Sequence, residues 1–518
     1  MLPLNLLLLA CAPTTTSIGQ DSAENESTSP DTGGDELPGT EAAVGFGCVP
    51  SANEASIDEG ETAVVQFACT GSVPAEGWRL IDGPADVDFD EATGRLTWAT
   101  DLASAGGWAV HVQSIAGDQR EDGHSTIWVA DAWDARGNIP VDPLTYTHEY
   151  GLPVVHLEVP SNISSSSKVD GTFTYRGEAH SIAAQIRGAA SSYYPKNSYN
   201  IDFLPQDEFR DEDLGFPQRH NIVLTTLFDD NAYFRQKMCF DMWNLLDGTF
   251  LIETRFVVVY LNGDYWGLYL LGDHIDGEWY EDYGYPEDGN LYKSVDHGAN
   301  FYSTYGGPKS SWHQGYEKKE GLPVDDFSDL DALVEFVATA DNETFEAGIA
   351  QYIDLQQVYD WWALVIFAEA DDSGGKNAYF YNVPAQPGFQ FAPWDFNHSL
   401  GQTWQTDREP ASYDYDFTSA NGLFKRLLAS RTYGAAMSAS FREARAGVLA
   451  PAALTALIDG YIADIDPSAR RDWAKWESQY RSYGGWNWRS NWTDYDSEVQ
   501  YVRDWVNERW AFIERWDP

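Results

Sequence analysis

The chain has 518 residues, with 81 acidic against 32 basic side chains, for a formal net charge of −49. Such an excess repels polyanions, which excludes nucleic acid and anionic membrane surfaces as partners and favours a basic protein. The length suits two or three domains, and no run of about 18 apolar residues follows the first segment, so no spanning helix is expected.

Met1 to Ala10 is Leu-rich and runs into Leu8-Leu9-Ala10-Cys11, the small-residue pattern that precedes a lipidated cysteine. Residues 1–11 therefore read as a bacterial lipoprotein signal with Cys11 as the acylated residue, although no Lys or Arg precedes the apolar run. Residues 12–43 are Thr, Ser, Asp, Glu, Gly and Pro with almost no large apolar side chain, too little to bury, and read as a disordered tether. The expected location is the bacterial cell envelope, at the outer membrane or cell surface, held by the lipid alone.

Residues 44–132 alternate apolar and polar positions in short runs, such as Thr62–Ala68, Gly94–Trp98, Gly107–Gln113 and Ser125–Val129, separated by Gly-rich turns. That pattern predicts a small antiparallel β-sandwich. Phe89–Trp98 resembles bacterial immunoglobulin- or cadherin-like surface modules, and with no chemistry in the segment the expectation is a spacer. Cys48 and Cys69 lie close together here and, in an oxidising compartment, are expected to form a disulfide. Cys239 sits at helical spacing among apolar residues and is expected as a buried free thiol.

The main domain is placed at 140–518. A turn rich in Gly and Ser, from Gly188 to Ser198, separates a strand ending near Arg187 from one starting near Tyr199. Its backbone N–H groups and Lys196 suit an anion, although the stretch taken alone reads first as an ordinary hairpin with a solvated lysine. Asn262-Gly263 between the apolar runs Arg255–Leu261 and Tyr265–Leu271 is a strong hairpin signal, and its second strand delivers Asp273. Further on, Asp372-Ser-Gly-Gly-Lys-Asn377 precedes two predicted strands, Ala378–Asn382 and Gly388–Ala392. Their pairing would return Asp395 of Trp394-Asp395-Phe396-Asn397 to the side of Asp372. Phosphoryl transfer to a hydroxyl needs this set: one carboxylate to orient the hydroxyl, an amide oxygen for metal, and a second carboxylate for the metal bridging the phosphates. Residues 430–518 read as helical, with apolar residues at helical spacing over Ala452–Ile465 and Glu498–Ile513. Between them, Trp473, Trp476 and the Trp486–Trp492 cluster either pack helices or line a sugar-binding face. His274, His297, His313 and His398 are scattered, and no zinc spacing occurs.

Together these motifs resemble the CotH kinase family, named for a bacterial spore-coat protein with an atypical protein-kinase-like fold. The resemblance runs over roughly 150–430. It rests on Arg187-Gly188-x-x-Ser191, Pro195-Lys196-x-Ser198-Tyr199, Asp230-x4-Arg235-x-Lys237, the hairpin Asn262-Gly263-x-Tyr265-x-Gly267-x-Tyr269, Gly289-Asn-Leu-Tyr-Lys293, and Asp372-x4-Asn377 leading to Trp394-Asp395-x-Asn397. The implied fold class is multidomain: a small all-β sandwich, then an α+β atypical kinase-like domain with a helical C-terminal subdomain. The resemblance implies ATP as donor, Mg²⁺ as metal, and Ser or Thr of a secreted or surface protein as acceptor. Carried over, Asp372 orients the acceptor hydroxyl or holds metal. Asn377 and Asp395 hold Mg²⁺, and Lys196 contacts phosphate with Asp273 as its acidic partner. Arg187, Arg235 and Lys293 are further phosphate-side candidates. Asp273 replaces the family's usual Glu, Tyr193 stands where a basic residue is common, and Asn397 replaces a second acidic residue. Two alternatives stay open: Asp371 and Asp372 exchanging roles, and a catalytically inactive surface adhesin or glycan-binding lipoprotein.

Overall fold

The computed structural model describes residues 48–70, 74–100, 104, 106–130, 141–211, 215–247, 250–304, 309–383, 386–486 and 494–514. Cys11, the segment 1–43 and the tryptophans at 488 and 492 lie outside them. In the all-β segment, Ala55–Asp58, Gln119–Ala130, Gly106–Ala116 and Gly77–Asp82 form one four-stranded sheet in that order. Thr62–Gln66, Arg95–Ala99 and Asp88–Asp90 form a second, three-stranded one. Alternate residues turn inward, so Ala63, Val65, Leu96 and Trp98 of one sheet and Val110, Val112, Ile127 and Val129 of the other are buried. Cys48 and Cys69 are joined as a disulfide, while Cys239 is a free thiol, buried, and pushed up to about 12 by that burial.

The region that follows is mixed α/β. Seven strands carry it: β1 (Leu152–Glu158), β2 (Val169–Tyr175), β3 (Glu178–Arg187), β4 (Ser198–Phe203), β5 (Asn221–Thr226), β6 (Thr254–Leu261) and β7 (Asp264–Asp273). They pair in the order β1-β2-β3-β4-β5-β7-β6, and β6 then pairs with β1 in parallel, Val154 to Leu157 against Val258 to Leu261. The seven strands thus close into a barrel, with the two-residue strand His148–Glu149 added beside the start of β1. Its interior is filled by Val155, Leu157, Phe173, Ile201, Phe203, Ile222, Leu224, Val257 and Val259, among others. The turn expected from Asn262-Gly263 joins β6 to β7, with both residues at positive φ, +53° and +85°. Asn is tolerant of that region and Gly is unstrained in it.

The β6–β7 hairpin explains why its sequence is apolar at nearly every position and does not alternate. Val257, Val259, Tyr269 and Leu271 point into the barrel. Phe256, Val258, Tyr260, Leu268 and Leu270 point the other way, into a second and larger core built with the helices. A strand buried on both faces has no polar face. The helices that share this core include α1 (Arg235–Asp247), α2 (Leu355–Ala368), α3 (Pro451–Ser482) and α4 (Tyr495–Ile513).

The sequence predicts a helix over 452–465 with a Trp-rich segment beyond it; the structure instead carries one 32-residue helix through to Ser482, with Pro467 inside. A helix-interior proline removes a backbone hydrogen bond, but the buried stripe Ile465, Ala469, Asp472, Trp476 and Tyr480 continues past it and holds the helix together. Trp476 and Trp486 are buried with Tyr194, Phe228 and Tyr480. They pack α3 against the barrel side and present no sugar-binding face.

Ion pairs in the interior dock the helical subdomain. Lys196 has no exposed surface, and its ammonium donates to Leu268 O at 2.7 Å and to the carboxylate of Asp472 on α3. Asp472 also accepts the Leu268 N–H at 2.7 Å. Burial pushes Lys196 down and Asp472 up, each against the pull of its partner. Gly267 makes room for them: it lies at φ +131°, and a Cβ there would fall 2.1 Å from Asp472 Oδ2 and 3.1 Å from Lys196 Nζ. Next along the helix, Arg471 Nη1 reaches Glu149 Oε1 at 2.5 Å. On α4, Glu498 takes Arg235 at 2.6 Å and Arg408 at 2.9 Å, and Arg509 pairs with Glu369.

Removing one member of a buried pair strands the other charge, which costs about 3–5 kcal/mol. Asp472→Ala is expected to lose stability of that order in urea unfolding, and Gly267→Ala to move the midpoint in the same direction. An unchanged midpoint in both would show that α3 is held by its apolar stripe alone.

Candidate active site

The site is assembled at the open end of an antiparallel sheet of four strands in the order β9 (Tyr316–Glu320), β8 (Asn290–Ser294), β10 (Ala378–Val383), β11 (Gln386–Pro393). Ala378 pairs with Pro393, so the residues just outside the hairpin, Asn377 and Trp394, face each other. The Trp394 N–H donates to Asn377 O at 3.0 Å, and the Asn377 N–H to Ser294 O at 3.0 Å. From the other side, Ser373 Oγ donates to Asp395 O at 3.2 Å, and Trp361 Nε1 on α2 donates to Ser373 O at 2.9 Å. The hairpin thus returns the Asp395 segment to the Asp372 loop. Asn377 and Asp395 both adopt left-handed backbone, at φ +59° and +66°. Asn and Asp visit that region more readily than other side chains, but it still carries a cost, and such backbone concentrates at functional sites.

The Asp372 carboxylate is fixed by its own loop. Lys376 Nζ donates to its two oxygens at 2.8 and 2.7 Å, and Asn377 Nδ2 to Oδ2 at 3.0 Å. His297 Nε2 lies 3.6 Å away on the outer side. The neighbouring Asp371 is pushed up by burial and by the charge of Asp372, with His398 and His297 pulling it back. Asp395 is half-buried, and among the described residues its carboxylate accepts no hydrogen bond.

Beside it runs a row of cations and rings. Arg187 at the end of β3 lies over the Trp394 ring at 5.3 Å, Trp394 meets Tyr379 edge-on at 5.7 Å, and Lys293 of β8 lies 5.3 Å from the Tyr379 centroid. Burial pushes the Arg187 guanidinium down, opposed by Tyr379 and by the Asp395 carboxylate.

Behind Asp395 sits Asp229, 2% exposed. Its Oδ2 accepts from Asn397 Nδ2 at 2.6 Å, His398 Nε2 at 3.2 Å and Tyr194 OH at 3.2 Å. Burial alone would raise Asp229, but His398 and Asn397 bring it below the ordinary carboxylate range. Burial likewise acts to lower His398, yet the hydrogen bond and charge of Asp229, with Asp395 and Asp372 beyond, hold it above its usual value.

The structure brings together Asp372, Asn377, Asp395, Arg187 and Lys293 of the residues singled out from sequence. Three placements need correction. Asp273 does not partner Lys196: wholly buried, it accepts from Arg219 Nε and the Glu253 N–H at 2.8 Å and from Trp279 Nε1 at 3.3 Å. Lys196 pairs instead with Asp472, and with no exposed surface it offers no face to a phosphate. Arg235 is likewise interior, held by Asp230 and Glu498 at 2.6 Å each. A buried guanidinium is stable only when carboxylates surround it; Asp230 lies within the same motif, but Glu498 is on a helix far along the chain that the motif does not include. Sequence reading missed Lys376, His297, His398 and Asp229. Lys376 lies inside the Asp372–Asn377 motif, His398 follows Asn397, and Asp229 precedes Asp230, so proximity to the motifs was the available signal.

Among the described residues no group of three or more His, Cys, Asp or Glu is arranged to hold a metal ion by itself. Mg²⁺ does not require one, since it commonly takes one or two carboxylates and completes its shell with waters and phosphates. The unengaged Asp395 carboxylate fits that demand. So does the amide oxygen of Asn377, whose nitrogen is used on Asp372.

The CotH kinase protein family model matches residues 184–513, so the chain belongs to the CotH kinase family. Inner spore coat protein H of Bacillus subtilis (strain 168) is 27% identical over 259 residues, 49% of this chain and 69% of that protein. Among solved structures, the PKD domain of human KIAA0319 is 16% identical with a TM-score of 0.12, over 18% of this chain and 91% of its own. The titin Ig tandem A164-A165 is 11% identical with a TM-score of 0.15, over 31% and 91% respectively.

A histidine raised by a folded-state partner adds stability that is fully present below its unfolded value and is lost as pH rises through the folded one. His398 is therefore expected to titrate above 6.5 in an NMR pH series, the value from which it is raised. In Asp229→Asn it is expected to fall, because burial then prevails. A titration unmoved by that substitution would show that Asp395 and Asp372 set it.

Proposed function

We propose that this chain is an ATP- and Mg²⁺-dependent protein kinase, transferring the γ-phosphoryl group to Ser or Thr hydroxyls of a secreted or surface protein. Acting from the bacterial envelope, it would be tethered through a lipid on Cys11. The observation that carries the reading is the return of a half-buried, unengaged Asp395 carboxylate to the side of Asn377 and Asp372, with Arg187 and Lys293 flanking it. Family membership supports kinase chemistry at the family level.

ATP supplies the phosphoryl group, and Mg²⁺ neutralises charge on the phosphates when bound. Asp395 and the Asn377 amide oxygen would hold the metal. Arg187 and Lys293, at the two ends of the Trp394–Tyr379 ring pair, offer positive charge on the phosphate side in a chain that is otherwise strongly acidic. Asp372 orients the acceptor hydroxyl and takes its proton. It is favoured over Asp371 because Lys376 and Asn377 fix its carboxylate within the loop. Lys196 and Arg235 serve the architecture beneath. A basic acceptor suits the net charge of −49, and its phosphorylation is expected to fall as salt screens the attraction.

Calorimetry of ATP binding with and without Mg²⁺, on wild type and Asp395→Ala, tests the reading. Metal-dependent binding is expected in wild type and lost in the variant. Asp372→Asn is expected to keep nucleotide binding and lose about 10²–10⁴-fold in kcat on a Ser-containing peptide, the usual share of a positioned acid–base group. Wild type that binds no nucleotide in Mg²⁺ overturns the proposal.

A further inference from the structure

The segment that begins at Asp395 is held by hydrogen bonds from two sides. Asp395 is at φ +66°, and a non-glycine residue stays in that region only where its surroundings over-determine it. Ser373 Oγ fixes the carbonyl of Asp395 from one side. On the other side the hydrogen bonds converge on one buried carboxylate. Asp229 takes Asn397 Nδ2, His398 Nε2 and Tyr194 OH on a single oxygen, and its own main-chain carbonyl accepts Gln402 Nε2 at 2.8 Å. Three of those donors belong to the stretch just after Asp395, and the fourth to the turn that follows Arg187. One residue, itself 2% exposed, thereby ties the metal-side carboxylate and the phosphate-side cation to the end of β5.

We propose that Asp229 is a positioning residue for Asp395, and that it dictates the amide at position 397. The inference rests on the phosphoryl-transfer reading above for what Asp395 does, but not for the pairing itself. An ionised carboxylate accepts and cannot donate. At 2.6 Å from Asp229 Oδ2, residue 397 must donate, so an aspartate there would set a part-buried carboxylate against the buried one of Asp229, each disfavouring the other's charge. Asn397 is on this account the complement of Asp229, and an acidic residue at position 397 would be harmful here.

The test uses the full chain in four forms: wild type, Asn397→Asp, Asp229→Asn, and the double variant in which donor and acceptor are exchanged. Mg²⁺-dependent ATP binding by calorimetry, kcat and KM on a Ser-containing peptide, and the thermal midpoint are read on each. Each single change is expected to weaken Mg²⁺-dependent ATP binding and kcat by about 10–100-fold, as residues supporting a metal ligand typically do. KM for the peptide is expected to stay as in wild type, and Asn397→Asp to lower the midpoint. The double variant is expected to recover at least about tenfold over either single, since contacting residues couple. Asn397→Asp that binds Mg²⁺ and ATP as well as wild type overturns the proposal, and so does a double variant no better than the singles. Midpoints that fall while the kinetic constants of the folded fraction stay fixed would reduce Asp229 to a structural role. Should wild type bind no nucleotide in Mg²⁺, the kinase reading and the positioning role fall together, while recovery of the midpoint in the double variant still decides whether Asp229 selects the amide.

Discussion

A lysine without exposed surface must find a carboxylate, and Lys196 finds Asp472 across more than half the chain. That pair is the point on which the C-terminal region turns. It forms only because Gly267 has no side chain, so the hairpin wall of the barrel can be approached closely by α3. Once α3 is seated, Trp476 and Tyr480 meet Tyr194 and Phe228, and Phe228 immediately precedes Asp229. The ion pair therefore sets the platform on which the Asp229 network rests, and through it the segment that carries Asp395.

The same economy governs the other cations. With 32 basic residues among 518, several of those in the main domain are used inside it: Arg235 under the site, Arg509 beneath α2, Arg219 against Asp273. Interior guanidinium groups saturate carboxylates and carbonyls alike; Arg509 reaches both Glu369 and Tyr413 O, the latter at 2.6 Å. Beside Lys376, which is spent on Asp372, what remains near the site is a short row, Arg187 and Lys293, each resting on an aromatic face. A cation over a ring is held by the ring's face rather than by a carboxylate, so these two half-buried cations are not consumed by the acidic background.

Local pattern made much of this legible. The Asn262-Gly263 turn, the β10–β11 hairpin and the return of Asp395 to Asp372 follow from short-range rules, because turn residues and strand lengths fix which ends meet. The partners of buried charges were not legible in the same way. Nothing near Lys196 in the sequence points to Asp472, and Asp273 was the nearer candidate by motif; full burial, which sequence does not show, decided between them. Barrel closure was equally hidden, since the parallel pairing of β1 with β6 joins strands about a hundred residues apart. The length of α3 was missed for an opposite reason. A proline inside a helix costs one hydrogen bond, but a buried stripe running past Pro467 outweighs that loss.

The β6–β7 hairpin has a consequence for how the molecule can be divided. Its residues alternate between two cores, so neither core possesses a complete wall without the other. The barrel cannot be excised as a stable module, because cutting it out exposes Phe256, Val258, Tyr260 and Leu270 to water. The helical part cannot be expressed alone, because it would lose the same surface as a lining. Folding must also be late and collective: β6 is made after the four barrel strands that separate it from β1 in sequence and then has to find β1, a non-local closure of the kind that slows folding. The part of the chain bearing Asp372 and Asp395 is thus committed to a sheet completed long before it in sequence, and the two halves of the site share one fate.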